Sequence, residues 1–365
     1  MPLNLDQSGS AGDGSAINHL AWQAPVRGGV VHLDFLSSPP TASVTSPGFY
    51  ILWHQDRVIG QAVLTSGPDL RREPVGEAIS VSPELLEEAE ALSRLDATVA
   101  FDVDATIIVC TRDRPDELAR CLDALSHQSC RAAQVLVVDN ASVDDRTRAV
   151  ASMAGVTYVR EDRPGLDIAR NAGVRSATGR IVLFTDDDVV LHPRWLERMV
   201  RAFDDDEAVD AVTGLVLPLA LETDAQWTFE RQWGFGRGFV CQDFGTDFVT
   251  AHSRSGIPAW EVGAGASMAF RRSCFERLGL FDERLDAGAA GCSGDSEYWH
   301  RILTNGGRCR YEPGAIALHE HRSDRAGLRR QIRAYSKGHV AALLVQHERV
   351  PGLGDLRRLL VTLPA

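Results

Sequence analysis

The sequence lacks the features that mark membrane-spanning, secreted and disulfide-stapled proteins. No apolar run approaches the roughly 18 residues that a helix needs to cross a bilayer. The N-terminal residues have neither the basic stretch nor the apolar core of a secretory signal. The 7 cysteines include no C-x-x-C pair, so we expect most of them to be buried, reduced side chains. These absences predict a cytoplasmic protein, at most associated with the inner face of the membrane.

The sequence also lacks a net positive charge and a glycine-rich phosphate loop after its first predicted strand. The formal net charge is -12, which argues against nucleic-acid binding but allows a small anionic ligand held by a few arginines. The segment after the first predicted strand, Thr111 to Pro115, contains no glycine. A dinucleotide-dependent oxidoreductase would need G-x-G-x-x-G there, and a nucleotidyltransferase would need a glycine-rich loop with an arginine. Both classes are therefore disfavoured.

The pattern of the 365 residues predicts four parts. Residues 1–18 are rich in Gly, Ser and Asp and predict a disordered tail. Residues 19–97 predict a small β-rich module, with a hairpin that turns at Gln55-Asp56 and a helical connector. Residues 98–325 alternate short apolar strands with amphipathic helices, and residues 326–365 predict a C-terminal helical extension. We expect this extension to pack on the core, with a membrane surface or a second copy of the chain as alternative contacts.

The alternation in residues 98–325 predicts an α/β fold, with a Rossmann-like, mixed but mostly parallel sheet flanked by helices. In such a sheet, ligands bind at the carboxyl ends of the strands. Polar clusters follow three of the predicted strands, at Thr111–Arg114, Asp139–Ser142 and Asp186–Asp188. The sequence therefore predicts a ligand site at this edge of the sheet.

The run Asp186–Asp188 has the most definite chemistry. Carboxylates beside an apolar strand end are costly unless they meet a cation or hydrogen-bond donors. In strand geometry Asp186 and Asp188 point to the same face, a spacing that suits Mg²⁺ or Mn²⁺ bridging phosphate oxygens. Asp204–Asp206 has the same composition but follows an amphipathic helix, so we interpret it as a solvated loop. Position, rather than composition, separates the two runs.

Four segments resemble, in this order, the nucleotide-binding half of the family 2 glycosyltransferases, which belong to the nucleotide-diphospho-sugar transferase superfamily and have the GT-A fold. The segments are Val109-Cys-Thr-Arg-Asp-Arg-Pro115, Val137-Val-Asp-Asn-Ala-Ser142, Ala169-Arg-Asn-Ala-Gly173 and Phe184-Thr-Asp-Asp-Asp188. The resemblance covers roughly residues 104–325. It implies a set of residues that bind the nucleotide-sugar donor: Thr111, Asp113, Arg114, Asp139, Arg170, Asp186 and Asp187. It also implies that Asp188 is the metal ligand.

Two later segments carry the acceptor side of the resemblance. In Gly263-Ala-Gly-Ala-Ser-Met268, Gly265 and Ala266 would shape the sugar and acceptor pocket, although a tight, closely packed turn explains this segment equally well. Gly294-Asp-Ser-Glu-Tyr-Trp299 resembles the family's E-D-x-D-L/W motif, from which Gly294 and Glu297 depart. The match implies that Asp295 is the catalytic base and that Glu297 and Trp299 contact the acceptor. Alternatively, Asp295 and Glu297 only favour the positive N-terminal end of a helix.

His319 and His321 complete the set of candidate residues. They are two residues apart in an extended segment and should point to the same side. In the family a late histidine often completes the metal site, so either one is a candidate ligand beside Asp188. Carboxylate, imidazole and phosphate ligands without a thiolate suit Mn²⁺ or Mg²⁺ better than zinc.

The resemblance implies an inverting, metal-dependent glycosyltransferase. It would move a sugar from a nucleotide-diphosphate donor, with a UDP-sugar as first choice, to a hydroxyl group of a glycan, a glycolipid or another acceptor. Synthesis of cell-surface glycans or glycoconjugates is the expected context. The alternative is a non-catalytic protein that binds nucleotide sugars or carbohydrate on the same scaffold.

Overall fold

The computed structural model describes residues 25, 27–35, 41–44, 46–64, 77–96 and 101–362. The predicted disordered tail, residues 1–18, lies outside these described residues. Within residues 25–96 the elements are β1 (Val30–Asp34), β2 (Thr41–Val44), β3 (Gly48–His54), β4 (Arg57–Leu64), β5 (Glu77–Ser80) and α1 (Pro83–Ser93).

The small N-terminal sheet has the order β1-β3-β4, and β2 pairs separately with β5. The predicted hairpin is present, because β3 and β4 are antiparallel and turn through Gln55, whose φ is 56°. Helix α1 begins as its sequence predicts. The hydroxyl of Ser82 accepts a hydrogen bond from the backbone N–H of Leu85, and Pro83 occupies the first turn, where its missing N–H is harmless.

The remaining strands form one mixed sheet, which has nine strands among the described residues. They are β6 (Asp102–Thr111), β7 (Arg131–Asn140), β8 (Thr157–Glu161), β9 (Ile181–Asp186), β10 (Val189–Leu191), β11 (Val209–Pro218), β12 (Gln242–Phe244), β13 (Ser267–Arg271) and β14 (Arg308–His319). The order is β10-β14-β11-β13-β9-β6-β7-β8, with β12 paired to β14.

Helices cover this sheet. They are α2 (Pro115–Ser126), α3 (Arg146–Met153), α4 (Leu166–Ser176), α5 (Trp195–Asp204), α6 (Asp224–Trp233), α7 (Thr246–His252), α8 (Arg272–Leu278), α9 (Gly294–Thr304), α10 (Arg325–Arg349) and α11 (Leu353–Arg357). A 3₁₀ turn at Ala259–Val262 and a π turn at Arg358–Thr362 complete the described chain. None of the helices within the described ranges is long and apolar enough to span a membrane.

The four strands β9, β6, β7 and β8 are parallel neighbours, so their carboxyl ends lie on one edge. The chain runs outward from β6 through β7 to β8 and then returns to place β9 on the other side of β6. Strand order therefore reverses beside β6. Ligands bind at such a reversal because the loops on its two sides diverge and leave a crevice.

The other half of the sheet brings distant residues to the same edge. Strand β13 runs antiparallel between β9 and β11, and the long strand β14 is parallel to β11. Short strand β10 pairs antiparallel with the end of β14, which sets Val189 opposite His319. This pairing places the end of β14 next to the aspartates that follow β9.

A buried group of charges joins the N-terminal module to the main sheet. Asp96 accepts hydrogen bonds from Arg57 of β4, at 3.2 Å, and from Arg198 of α5, at 2.6 Å. Arg57 also lies 3.8 Å from Glu312 of β14. The side chains of Asp96 and Arg198 are each 1% exposed. Buried ions are tolerated only when they are paired in this way, so the contact is specific.

Candidate active site

The carboxyl ends of the parallel strands open into one cavity of about 1510 Å³. Most of the predicted site residues line it: Thr111, Arg114, Arg170, Asp186, Asp187, Asp188, Gly265, Ala266, Asp295 and His319. Helix α10 contributes Gln331, Tyr335 and His339 to the wall. The cavity therefore joins residues from both halves of the sheet.

Asp187, the middle residue of the aspartate run, is fixed by the loop that follows β6. The hydroxyl of Thr111 donates to Oδ2 of Asp187 at 2.7 Å. Nη1 of Arg114 donates to Oδ1 of Asp187 at 2.6 Å and to Oδ2 of Asp188 at 2.9 Å. Asp187 thus holds the loop that follows β6 in place. Its two neighbours, Asp186 and Asp188, belong to a second group of side chains, which we call the cation cluster and describe next.

Carboxylate oxygens of Asp186 and Asp188 and a ring nitrogen of His319 lie within 4.8 Å of one another. Burial and the charge of Asp188 raise the pKa of Asp186 to about 7. Burial acts in the same direction on Asp188, but His319 and Arg114 hold the pKa of that carboxyl below its usual range. A cation would relieve this concentration of buried negative charge. Two carboxylates and one imidazole are suitable ligands for Mn²⁺ or Mg²⁺.

A second buried cluster surrounds the guanidinium of Arg170. Its Nη1 donates to Asp167 at 2.9 Å and to Asp286 at 2.5 Å. A β-carbon on Gly265 would lie 2.8 Å from Oδ2 of Asp295 and 3.0 Å from Nη2 of Arg170. A larger residue here would displace these two side chains, because they fill the space that its own side chain would take. The small-residue segment thus allows Arg170 and Asp295 to share one wall.

Asp295 lies at the first turn of α9, and its carboxylate accepts a hydrogen bond from the backbone N–H of Ser296 at 2.6 Å. Burial and the charge of Asp286 raise its pKa, although Arg170 opposes them. A carboxylate with a raised pKa in a cavity is a better proton acceptor than an exposed one.

The departure of Gly294 from the family motif has a steric reason. A β-carbon at this position would overlap the carboxylate of Asp167, which reaches it from α4. Burial and the charge of Asp286 raise the pKa of Asp167 well above its usual range. Position 294 therefore needs a glycine as long as position 167 carries a carboxylate.

Asp113 and Asp139 do not line the cavity. The buried carboxylate of Asp139 accepts hydrogen bonds from the hydroxyl of Tyr158, at 2.6 Å, and from Arg160, at 2.9 Å. Asp113 has a φ of 56° and accepts a hydrogen bond from the backbone N–H of Val143 at 2.8 Å. Both residues shape the loops that border the cavity, and their contact with a nucleotide stays a prediction.

Glu297, Trp299 and His321 also lie off the cavity wall. Glu297 is fully buried and pairs with Arg301 and, at 3.1 Å, with Arg349. Trp299 is buried in the core, and the contact of these two residues with the acceptor stays a prediction. Helix α9 is buried on all sides over this stretch, so both residues are enclosed although they point in nearly opposite directions. His321 is buried behind His319, 3.0 Å away between their Nδ1 atoms.

Two residues of this region were not predicted. Asp286 contacts Arg170 across 116 residues of sequence, and Glu230 reaches His321 across 91. The sequence did carry a signal for Asp286, because Asp and Gly are common turn residues, and the structure gives both Asp286 and Gly288 a positive φ. Its ionic partner could not be inferred from such a local pattern.

Comparisons with known proteins agree with the geometry. Residues 106–278 match the sequence model of glycosyl transferase family 2. A pre-mycofactocin glycosyltransferase of Mycobacterium tuberculosis is 27% identical over an alignment of 311 residues, which covers 79% of this chain and 61% of that protein. Glycosyltransferase AglE of Haloferax volcanii is 24% identical over an alignment of 243 residues, which covers 64% of this chain and 72% of that protein.

A solved structure has the same fold. It is the mannosyltransferase PcManGT from Pyrobaculum calidifontis, with a TM-score of 0.50 and 21% identity, over 70% of this chain and 67% of that one. Since this chain spans only 61% of the mycobacterial relative, the likeness does not extend to that whole protein. Residues 106–278 are a family 2 glycosyltransferase domain, and the mixed sheet that contains them has the GT-A fold.

Proposed function

We propose that this chain is a metal-dependent glycosyltransferase that moves a sugar from a nucleotide-diphosphate donor to an acceptor hydroxyl with inversion at the anomeric carbon. The observation that carries the proposal is one cavity with two acidic centres. The cluster of Asp186, Asp188 and His319 is at one, and Asp295 is at the other. Substitution at a sugar carbon needs both a stabilised leaving group and a proton acceptor.

The first centre would hold the donor through a divalent cation. Asp186, Asp188 and His319 are its proposed ligands, and Mn²⁺ or Mg²⁺ is the proposed ion. When bound, such an ion neutralises charge that grows on the departing diphosphate. Arg322 lines the same cavity and has no ion pair within 4 Å among the described residues. Its guanidinium is therefore available for a phosphate oxygen.

The second centre would activate the acceptor. Asp295 is the proposed base, because it lines the cavity and its raised pKa favours proton uptake at moderate pH. Arg170 balances its charge and that of Asp286. One base on the acceptor side, with no second nucleophile assigned, favours a single displacement, which inverts the configuration. General-base catalysis of this kind typically contributes about 10²–10⁴-fold.

A UDP-sugar is the first donor to test, and GDP-mannose is the second. The fold relative from Pyrobaculum calidifontis was solved in complex with GDP-Man and Mn²⁺, which makes a GDP-sugar a reasonable alternative. The acceptor is proposed to be a hydroxyl of a glycan, glycolipid or glycoconjugate. Synthesis of cell-surface glycans, a cytoplasmic location and a contact of α10 with a membrane surface or a second copy stay predictions.

The experiment is a panel of UDP-, GDP- and dTDP-sugars, each incubated with Mn²⁺, with Mg²⁺ and with EDTA. We expect release of nucleoside diphosphate from one donor class, only when the metal is present. Asp295→Asn should retain donor binding and lose nearly all turnover. The matched control is Asp205→Asn, because Asp205 is an exposed carboxylate of the run Asp204–Asp206. Metal-dependent binding by the wild type without any turnover would instead indicate the non-catalytic alternative.

A further inference from the structure

A buried chain of hydrogen bonds leads from the cation cluster into helix α6. Nε2 of His319 faces Oδ1 of Asp188 at 3.4 Å. On the other side of the ring, Nδ1 of His319 is 3.0 Å from Nδ1 of His321. Nε2 of His321 is 2.9 Å from Oε2 of Glu230, whose side chain is 9% exposed. The chain ends there, so it connects the cluster with one buried carboxylate.

The direction of the chain follows from its last member. A carboxylate can only accept hydrogen bonds, so Glu230 requires a proton on Nε2 of His321. In the neutral ring, Nδ1 of His321 is then an acceptor and requires a proton on Nδ1 of His319. The neutral ring of His319 therefore has its lone pair on Nε2, which faces the carboxylate of Asp188. Two lone pairs that face each other at this distance repel unless a cation lies between them.

The packing around the chain restricts both rings. Helix α6 begins with a capping box in which Thr223 and Gln226 bond each other's backbone. Gln226 also donates to the carbonyl of His321 at 3.3 Å. The ring of Phe229 packs 4.7 Å from that of His321, and the ring of Phe235 packs 5.2 Å from that of His319. Helix α6 and Phe235, which follows it, thus hold the carboxylate and the two rings in place.

We propose that Glu230 and His321 are positioning residues that fix His319 in the orientation and tautomer in which Nε2 can ligate a divalent cation. Neither residue touches the substrate. The inference rests on the proposed cation site and names the residues that prepare it. Hydrogen-bonded partners of metal ligands typically change metal affinity by about 10–100-fold when they are removed.

The test measures Mn²⁺ binding without donor or acceptor, by the decrease of the free Mn²⁺ signal in electron paramagnetic resonance. We expect Glu230→Ala and His321→Phe to weaken Mn²⁺ binding about 10–100-fold. Glu230→Gln keeps an oxygen that can accept the same hydrogen bond, so its affinity should stay within a few-fold of the wild type. The matched control on the same helix is Asp224→Asn, since the one ion pair of Asp224 among the described residues is with exposed Arg325. The affinity of Asp224→Asn for Mn²⁺ should equal that of the wild type.

A second measurement reads the tautomer directly in the metal-free protein. Long-range ¹H–¹⁵N spectra of the histidines should show His319 with its proton on Nδ1, and a mixture of tautomers in Glu230→Ala. The inference is overturned if Glu230→Ala binds Mn²⁺ like the wild type, or if His319 of the wild type carries its proton on Nε2. In both cases the proposed function survives. Failure of the wild type to bind Mn²⁺ overturns the cation site and this inference together.

Discussion

Asp186–Asp188 and Asp204–Asp206 are the same tripeptide in two settings. The first follows a buried strand, and the side chains of Asp187 and Asp188 are 5% and 7% exposed. The second ends helix α5, and the side chains of Asp204 and Asp205 are 52% and 62% exposed. Each aspartate of the second run pairs with at least one arginine, and Asp206 pairs with two, whereas the first run shares Arg114 between two carboxylates. Excess buried charge, rather than the number of aspartates, distinguishes a cation site.

The largest difference between the runs is expected in catalysis. Asp188→Asn removes a proposed cation ligand, and loss of several kcal/mol of transition-state stabilisation corresponds to about 10³-fold or more in rate. Asp206→Asn should leave the rate unchanged. The measurement is the initial rate of nucleoside diphosphate release at saturating Mn²⁺. If the rate of Asp188→Asn lay within tenfold of the wild type, the proposal that Asp186–Asp188 holds a catalytic cation and Asp204–Asp206 does not would be wrong.

Asp295 extends the comparison to a carboxylate in another part of the cavity. Because its pKa is raised, the carboxyl stays protonated, and cannot accept a proton, up to a higher pH than an ordinary aspartate. We expect the rate to fall about tenfold per pH unit on an acid limb whose midpoint lies above the ordinary value of about 3.9. The check is the pH dependence of kcat, with circular dichroism at each pH to confirm folding. A limb at or below pH 4 would contradict the assignment.

A smaller difference is expected in stability without metal. At pH 8 in EDTA, Asp186→Asn should raise the free energy of unfolding by about 1–2 kcal/mol, because it removes repulsion from Asp187 and Asp188. Asp204→Asn should change it by less than about 0.5 kcal/mol. Denaturant unfolding measures both values. Mn²⁺ should then stabilise the wild type more than Asp186→Asn, since binding to the folded state adds to stability.

The smallest expected effect is a change in stability when an aspartate of the run Asp204–Asp206 is removed. Asp205, whose side chain is 62% exposed, lies 3.7 Å from Arg201, and exposed pairs contribute at most about 1 kcal/mol. We expect Asp205→Ala to lower the free energy of unfolding by less than this amount. The loss should shrink in about 1 M NaCl, where surface charges are screened within a few ångströms. A loss that is larger, or insensitive to salt, would mean that the second run is not a solvated one.

Much of the fold could be predicted because its signals are local. Apolar runs predicted the parallel strands β6 to β9, and the polar residues at their ends predicted Thr111, Asp186 and Asp188 on one edge. Pairing between distant strands left no such signal. The antiparallel position of β13 between β9 and β11 depends on side chains that pack from far along the chain. The proposed role of Glu230 left no local signal either, because it depends on a contact with His321, which is 91 residues later in the sequence.

Glu297 shows what a motif resemblance leaves open. The resemblance implies a contact of Glu297 with the acceptor, but helical geometry decides which side each residue faces. Asp295 and Glu297 are two positions apart, about 200° around the helix, so they point in nearly opposite directions. Asp295 faces the cavity, and Glu297 faces Arg301 and Arg349 in the interior. Motif spacing alone could not have assigned both to the same pocket.

The ion group of Arg57, Asp96 and Arg198 gives the N-terminal module a role in the folding of the domain. A shortened chain that began at residue 98 would remove Asp96 and leave Arg198 buried without it. Breaking a buried pair in this way typically costs about 3–5 kcal/mol, a large share of a domain's total stability. The end of the module in the sequence is therefore not a place where the protein can be divided. In descendants of this chain, Asp96 and Arg198 should change together or not at all.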